Sequence, residues 1–515
     1  MRSEILRKMR KCDPKELLFW VSVCQLPPVN RERAAIIEYA LGVLVSLDYR
    51  RAPSKRKISR GFVKRIFSEA YKDFENCLPS PPGSELQAFF PLGFLGIRAE
   101  AFPWQFAQAA LDRYGPHKEW MLKQLGFTII DAVDFSKGLM KYSIRRSLEF
   151  GPPSFPPFVR EQYYNPEYVM VPKKAVLNFW KEYVFFSKNK IESLFPENKL
   201  KELNRFLERM SVSLDEIRPM IKGPLDFNIF HAKPFVRIGE DFILPLPRLL
   251  WYAISTTFHY DLLHDRAYRG KYIDEKGKVA EKRMQTYFSK IFPGDKLFPR
   301  VKYNKRKGWP DIDLIIEDKD AALFVECTAK WITRKAKKGD LTSIINDLRY
   351  SVEKCSKQLA RAFQAHREGK MAEIKTDKLL PVIVVDDYIP GLDLILKFHN
   401  FSPDPLPYII NIFDLDIITD LTSKENFIDF VSKRIELSKR KRIFASDEID
   451  YFVLYRLHGF DEYIRSLERT DSELHYIGHL ENLDPMYYKD HFIQFIDDPV
   501  LSNWLELIDM RTGWS

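Results

Sequence analysis

Residues 311–330, DIDLIIEDKDAALFVECTAK, decide the fold that the sequence predicts. Two apolar stretches within this segment, 311–316 and 322–330, predict β-strands joined by a short polar turn. The second stretch is apolar on both faces where it begins, which is typical of a central strand buried on both sides. Because side chains alternate along a strand, Glu326 and Lys330 are expected on one face, at the point where burial ends.

The surrounding sequence predicts helices and strands in alternating order. A helix over 279–292 precedes the two strands, and a long amphipathic helix over 341–363 follows them. Two further apolar stretches, 379–385 and 408–413, predict strands, and helices resume after residue 420. This alternation is typical of an α/β layer with a buried sheet.

The length of 515 residues, at about 100–200 residues per domain, predicts three or four domains. Apolar residues at helical spacing fill the first part of the chain, and a proline-rich stretch, 151–157, then marks a boundary. We therefore predict an α/β multidomain protein with four regions: a helical N-terminal domain over 1–150, an α+β connecting region over 158–265, an α/β domain over 266–420 and a helical C-terminal region over 421–515.

Composition and charge restrict the class of protein. With 45% hydrophobic and 14% aromatic residues, the chain is expected to be globular. Its 81 Lys and Arg outnumber its 71 Asp and Glu, and the net charge of +10 favours a polyanionic partner such as nucleic acid. The five cysteines are scattered and form no Cys-x-x-Cys pair, which argues against a disulfide framework or a zinc ribbon.

Several sequence signals are missing. The chain has no secretory signal and no apolar stretch of about 18 residues, so we expect a cytoplasmic protein that does not contact a membrane. It also has no Gly-x4-Gly-Lys-(Ser/Thr) phosphate loop and no Gly-x-Ser-x-Gly elbow. ATP hydrolysis and serine esterase chemistry are therefore not expected.

Acidic residues stand where a hydrophobic sheet should not have them. Asp311 and Asp313 share a face of the first strand, and the short turn implies that the two strands are neighbours. Asp313 and Glu326 are therefore expected to converge on one divalent cation. Two carboxylates without His or Cys form a hard, all-oxygen site, which suits Mg²⁺ or Mn²⁺ rather than zinc or copper.

The stretch 311–316, followed by 323–330, resembles the core of the restriction-endonuclease-like nuclease superfamily, which is usually described by an Asp and an (Asp/Glu)-x-Lys motif. The resemblance covers residues 270–415, including the order of helices and strands. One departure concerns the lysine: the usual position, two residues after the Glu, holds Thr328, and the lysine stands at Lys330. Strand alternation is expected to keep that lysine on the same face.

The resemblance implies metal-assisted hydrolysis of phosphodiester bonds within residues 266–420. The implied metal ligands are carboxylates and one backbone carbonyl: Asp313, Glu326, Asp311, Glu281 on the preceding helix, and the carbonyl of Cys327. Lys330 would position or deprotonate the attacking water, and Gln358 on the following helix would orient Lys330 or a water. Thr328 in the usual lysine position leaves open a weakened or inactive site.

Basic residues flank the predicted site and are expected to contact nucleic acid: Lys302, Lys305, Arg306, Lys307, Arg334 and Lys335. The resemblance makes DNA the expected substrate, and the layout of a large accessory region ahead of one nuclease domain resembles prokaryotic proteins of defence against foreign DNA. Two alternatives stay open: a decayed nuclease fold that binds nucleic acid or acts as a scaffold, and an RNA-processing nuclease. A homodimer, or a protein partner on the helical regions, is a further expectation.

Overall fold

The computed structural model describes two compact units, one ending at Arg269 and one beginning at Gly270. The described residues are 3–25, 31–49, 57–76, 101–149, 174–214, 216, 221, 223–224, 226–303, 311–319, 321–337, 340–371, 373–387, 405–439, 443–445, 448–467 and 475–477. Within these residues, no helix combines the length and the apolar character needed to cross a bilayer.

The first unit is mainly helical. Its helices are α1 (Ser3–Met9), α2 (Pro14–Ser22), α3 (Arg31–Val45), α4 (Arg60–Asn76), α5 (Pro103–Tyr114), α6 (Lys118–Leu125), α7 (Ile129–Glu149), α8 (Lys174–Val184), α9 (Lys188–Glu192), α10 (Leu200–Met210) and α11 (Arg248–His264). Its strands form one mixed sheet in the order β1 (Phe185–Phe186), β4 (Asp241–Ile243), β3 (Phe235–Ile238) and β2 (Ser211–Ser213). Short 3₁₀ turns at Val23–Gln25, Gly115–His117, Glu197–Lys199 and Ile229–His231 connect these elements.

Helices α5 and α11 join the first two predicted regions into one unit. Arg113 and Tyr114, at the end of α5, both donate hydrogen bonds to the carbonyl of Ser255 on α11, at 3.0 and 2.7 Å. The ring of Tyr114 also packs edge-on against Phe258, with 5.6 Å between the ring centroids. These buried contacts connect the predicted helical domain with the predicted connecting region, so the two regions share a core.

The second unit is an α/β unit built around a five-stranded sheet. Its strands are β5 (Leu297–Val301), β6 (Ile312–Glu317), β7 (Ala322–Thr328), β8 (Leu379–Val385) and β9 (Tyr408–Asn411). Its helices are α12 (Arg269–Phe288), α13 (Arg334–Lys337), α14 (Leu341–Leu348), α15 (Lys354–Arg367), α16 (Ile412–Leu421), α17 (Lys424–Ser438) and α18 (Glu448–Leu467). A 3₁₀ turn, Gly294–Lys296, precedes β5, and a short parallel pair joins β10 (Ile443–Ala445) to β11 (His475–Ile477).

The sheet of the second unit has the order β5-β6-β7-β8-β9. Strands β5, β6 and β7 are antiparallel, whereas β7, β8 and β9 are parallel. Strand β7 is central and buried on both faces, as its apolar beginning predicts. Helix α15 covers one face, where Phe324 of β7 packs edge-on against Phe363, with 5.2 Å between the ring centroids.

Helices α16, α17 and α18 belong to this unit as well. Phe288 of α12 packs against Phe427 of α17, with 5.8 Å between the ring centroids. Phe430 of α17 packs against Tyr408 of β9 and Phe452 of α18. The predicted C-terminal helices therefore share a core with the sheet, and the chain is a mixed α/β protein of two units.

Several predicted element limits differ from those observed. The helix expected over 279–292 begins at Arg269 and ends at Phe288. Strand β9 ends at Asn411, because the side chain of Asn411 accepts hydrogen bonds from the N–H groups of Phe413 and Asp414 and so begins α16. Strand β5 was not predicted, because Pro299 and Arg300 interrupt its apolar pattern.

Two differences concern the predicted site directly. Strand β7 ends at Thr328, two residues before the expected limit at 330. The long helix expected over 341–363 is divided into α14 and α15 by a π-helical turn, Arg349–Glu353. Such turns insert an extra residue per turn and are frequent at functional sites.

Candidate active site

Asp313 and Glu326 lie opposite each other on β6 and β7. Leu314 pairs with Val325 at the end of the antiparallel ladder, and Asp313 and Glu326 are the next residues on the two strands. The charge of Asp313 raises the pKa of Glu326, which places the two carboxyl groups near each other. Glu326 is only 2% exposed, and Asp313 is half-buried. The sheet therefore brings two carboxyl groups together in a poorly hydrated place.

Asp313 accepts a hydrogen bond from the backbone N–H of Cys327, with 2.7 Å between Oδ2 and N. Burial raises the pKa of Asp313 to about 7, and the negative charges of Glu281 and Asp311 contribute to that rise. The Cys327 N–H and the guanidinium of Arg300 act in the opposite direction. Asp313 is therefore poised to exchange its proton near neutral pH.

Glu326 has an oxygen without a partner. Its Oε1 is buried and makes no hydrogen bond to any residue that the structure describes. Burial raises the pKa of Glu326 to about 10, and the charges of Asp313 and Asp311 contribute to that rise, whereas the charge of Lys354 and a hydrogen bond from the backbone N–H of Asp313 oppose it. A buried carboxyl oxygen without a partner is costly unless a cation or a proton compensates it.

Glu281 is ion-paired with Arg300. It lies on α12, and Arg300 of β5 donates two hydrogen bonds to its Oε2, at 3.1 Å from Nε and 2.7 Å from Nη2. Arg300 has a backbone φ of 53°. In the ladder between β5 and β6, Pro299 pairs with Leu314 and Val301 with Ile312, so Arg300 stands opposite Asp313.

The oxygen donors fit a hard divalent cation. Mg²⁺ is commonly held by one or two carboxylates, with waters and substrate phosphate completing its coordination. Asp313 and Glu326 supply such a pair of carboxylates. Oε1 of Glu326, which makes no hydrogen bond within the described residues, is available as a metal ligand. In the described part of the chain, however, no three His, Cys, Asp or Glu side chains stand together as a metal-binding group. Asp311 is half-buried just before β6, and Glu281 is engaged by Arg300.

The position of Lys330 requires a correction. Its expected place beside Glu326 depended on strand alternation, but β7 ends at Thr328, so alternation no longer fixes the direction of its side chain. Its Nζ lies 3.1 Å from Oδ1 of Asp347 and 4.6 Å from the centroid of the Tyr350 ring. Lys330 is therefore bound to α14 and the π-helical turn.

Sequence reasoning missed Asp347. Its side chain is buried, and its Oδ2 also accepts a hydrogen bond from the N–H of Thr333 at 2.8 Å. The signal in the sequence was its position next to Leu348 and three residues after Ile344, in the apolar stripe of the helix. An acid at such a position requires a buried partner.

Gln358 lies on the same side of α15 as two basic residues. Lys354, Gln358 and Arg361 follow the i, i+4, i+7 spacing, so they form one stripe along the helix. The charge of Lys354 lowers the pKa of Glu326, which places this stripe toward the acids. Gln358 is half-buried, and among the described contacts no hydrogen bond joins it to Lys330. Its predicted role in orienting that lysine is therefore not met in this arrangement.

Tyr303 is a further neighbour of the acids, and the sequence marks it only as an aromatic residue near the basic clusters that could stack on bases. Its hydroxyl is buried and makes no hydrogen bond within the described residues. Burial raises the pKa of Tyr303, and the charges of Glu326 and Asp311 add to that rise. The hydroxyl is thus a second buried polar group close to Glu326.

The remaining predicted residues lie around this cluster. Lys302 is exposed after β5, and Arg334 and Lys335 are exposed on α13. Lys305, Arg306 and Lys307 lie outside the described residues. Cys327, expected to offer its carbonyl to a metal ion, holds Asp313 through its N–H.

Comparison of the chain with protein-family models, with curated proteins and with solved structures gives no match.

Proposed function

We propose that this protein is a metal-dependent nuclease that hydrolyses phosphodiester bonds, with DNA as its substrate. The observation that carries the proposal is the pair of neighbouring carboxyl groups, the half-buried Asp313 and the buried Glu326, with Oε1 of Glu326 unpartnered within the described residues. A structural role does not account for this pair, because a buried carboxyl oxygen without a partner destabilises the fold. A divalent cation would compensate both groups.

The order of elements supports the same proposal. Helix α12 carries Glu281, β6 carries Asp313, β7 carries Glu326 and α15 carries Gln358, with β8 and β9 completing the sheet. This is the order on which the resemblance to the restriction-endonuclease-like superfamily rests. We therefore propose that the second unit contains a nuclease core of that type.

In the proposed mechanism, Asp313 and Glu326 would hold one or two Mg²⁺ or Mn²⁺ ions, which would supply an activated water and stabilise charge on the phosphate. Asp313, whose pKa is raised to about 7, would be the acid of the pair that ionises more easily. Lys330 would offset phosphate charge after leaving Asp347, and Gln358 would orient a water. The exposed side chains of Lys302, Arg334 and Lys335 would contact the phosphate backbone.

Partners and biological role follow as further parts of the proposal. One acid pair per chain suits cleavage of one strand, so cutting a duplex favours a homodimer. The first unit would bind DNA or a protein partner. Defence against foreign DNA inside the cytoplasm is the role that the resemblance favours.

The test is a cleavage assay with the full-length protein and Mg²⁺ or Mn²⁺ on supercoiled plasmid, linear duplex, single-stranded DNA and RNA. We expect cutting of DNA that Asp313→Asn and Glu326→Gln abolish. The control is Glu368→Gln, an exposed acid at the end of α15, which should cut like the wild type. Equal activity of all variants would contradict the proposal.

A second candidate function has a specific observation in its favour. Thr328 occupies the usual lysine position, and Lys330 is ion-paired with Asp347, which would suit a decayed nuclease fold that binds nucleic acid or acts as a scaffold. Binding of DNA without cleavage in either metal would favour it. Preference for RNA in the same assay would favour an RNA-processing nuclease.

A further inference from the structure

We propose that Arg300 is a positioning residue that holds Glu281 out of the metal site, so that the site becomes complete only when this ion pair opens. The inference rests on the proposed metal site, but it concerns how that site is assembled rather than what it cleaves. It assigns Arg300 a role that its place in a basic stretch of sequence does not suggest.

The ion pair between Arg300 and Glu281 is made by two hydrogen bonds. Arg300 donates through both Nε and Nη2 to the same carboxylate oxygen of Glu281, at 3.1 and 2.7 Å. These two bonds come from the planar guanidinium and fix its orientation, which a lysine cannot reproduce. The carboxylate that the resemblance assigns to a metal ion is therefore occupied by a cation of the chain itself.

Arg300 lies on β5, the strand beside β6. It stands opposite Asp313, between the ladder pairs Pro299–Leu314 and Val301–Ile312. One residue of β5 thus faces one acid of the site and binds another. A divalent cation at Asp313 and Glu326 would repel the guanidinium and attract Glu281.

The backbone of Arg300 has an unusual conformation. Its φ of 53° makes it the only non-glycine residue with a positive φ in the part of the chain that the structure describes. Such conformations persist when their surroundings impose them, and they concentrate at ligand-binding and switching sites. The positive φ therefore marks Arg300 as a residue that its surroundings hold in place.

One oxygen of the acidic pair has no partner. Oε1 of Glu326 is buried and makes no hydrogen bond within the described residues, so it is available to bind a cation. The described residues also contain no group of three metal-binding side chains. Both findings follow if Glu281 is the missing third carboxylate and its ion pair with Arg300 keeps it from binding the cation.

The experiment measures Mn²⁺ binding to the full-length protein by electron paramagnetic resonance of the free ion, without any nucleic acid. The variants are Arg300→Gln, Arg300→Gly, Glu281→Gln and the double variant Arg300→Gln/Glu281→Gln. The matched control is Arg205→Gln, which removes an exposed arginine that is ion-paired with Glu208 at 3.1 Å on α10. Circular dichroism checks folding, and Arg300→Gly keeps the test valid if Arg300→Gln does not fold, because glycine accepts a positive φ.

We expect Arg300→Gln and Arg300→Gly to bind Mn²⁺ about two- to fivefold more tightly than the wild type, as for the removal of one competing ion pair. The gain should vanish in the double variant and be absent in the control. An equal gain in the Glu281→Gln background would overturn the proposal, because the effect would then be simple charge removal. Unchanged affinity in the Arg300 variants would also overturn it. Asp313→Asn, measured in the same assay, tests the metal site itself. If that variant loses Mn²⁺ binding, the metal site is supported even when the Arg300 variants are unchanged. Mn²⁺ binding without DNA cleavage would instead count against the nuclease and leave this inference intact.

Discussion

Lys330 Nζ lies 3.1 Å from Oδ1 of Asp347, so the lysine expected beside the acidic pair is held by a buried carboxylate of α14. The Lys330 side chain is 36% exposed and that of Asp347 is 4% exposed, which makes Asp347 the partner that depends on the contact. The N–H of Thr333 supplies a second hydrogen bond to Asp347 at 2.8 Å. The pair therefore fixes the segment after β7 onto α14, whatever else Lys330 does.

This pair predicts a coupling in stability. Lys330→Ala should lower the free energy of unfolding by about 2 kcal/mol, because it leaves a buried charge without its cation. Lys330→Ala/Asp347→Asn should be less destabilised than Lys330→Ala alone, since the amide needs no counter-charge. Urea unfolding of both variants and of Asp347→Asn gives the coupling energy. Additive effects would show that the pair is not energetically linked.

Glu326→Gln should stabilise the metal-free protein at pH 8. The folded pKa of Glu326 is raised to about 10, above its ordinary value of 4.5, so the stability that it contributes is complete below pH 4.5 and is lost as the pH rises toward 10. Glutamine is neutral throughout and avoids this loss, which we expect to exceed about 1 kcal/mol at pH 8. Thermal unfolding measures the difference. Glu368→Gln, at an exposed site, should change little, and a destabilised Glu326→Gln would contradict the assigned pKa.

Metal affinity should rise with pH between 6 and 8. Asp313, with a pKa of about 7, and Glu326, with a pKa of about 10, both carry protons at pH 6, and a cation must displace them. Each released proton makes the apparent affinity increase by about tenfold per pH unit. Isothermal titration of Mn²⁺ in two buffers of different ionisation enthalpy counts the protons. Affinity that does not vary with pH would show that the acids are ionised before the metal binds.

The buried ion pair between Arg283 and Asp386 should be essential to the second unit. Their atoms are 2.9 Å apart, and the two side chains are 4% and 3% exposed. Arg283→Met should lower the free energy of unfolding by about 3–5 kcal/mol, because it removes the guanidinium that pairs with a buried carboxylate. The control is Arg349→Met, which removes an ion pair of the exposed Arg349 with Glu353 at 3.9 Å. It should lower the free energy of unfolding by less than about 0.5 kcal/mol. Chemical unfolding compares the two.

The double variant Arg334→Ala/Lys335→Ala should weaken DNA binding at every sequence. Both side chains are exposed on α13, and removing each cation that binds a phosphate should reduce the slope of log affinity against log salt by about 1. Fluorescence anisotropy over a range of salt concentrations, in Ca²⁺ to prevent cleavage, measures this slope. Lys370→Ala, an exposed lysine after α15, is the control. An unchanged slope would remove α13 from the proposed DNA-binding surface.

Local sequence patterns were sufficient for much of the sheet. The limits of β8, 379–385, are those that the sequence predicts, because a short apolar stretch bounded by polar residues is a local signal. The position of Asp313 opposite Glu326 also follows from strand alternation and a short turn. The π-helical turn at Arg349–Glu353 could not be read in the same way, since the apolar stripe continues through it.

The sequence by itself determined the α/β class of the second unit and the strands that carry Asp313 and Glu326, because alternation and turn length act over a few residues. Only the tertiary structure decided which cations meet which acids. Arg300 reaches Glu281 and Lys330 reaches Asp347 across separate elements, and no periodicity in the chain encodes such pairs. Tertiary structure also decided the raised pKa values, since burial of a carboxyl group depends on what packs over it.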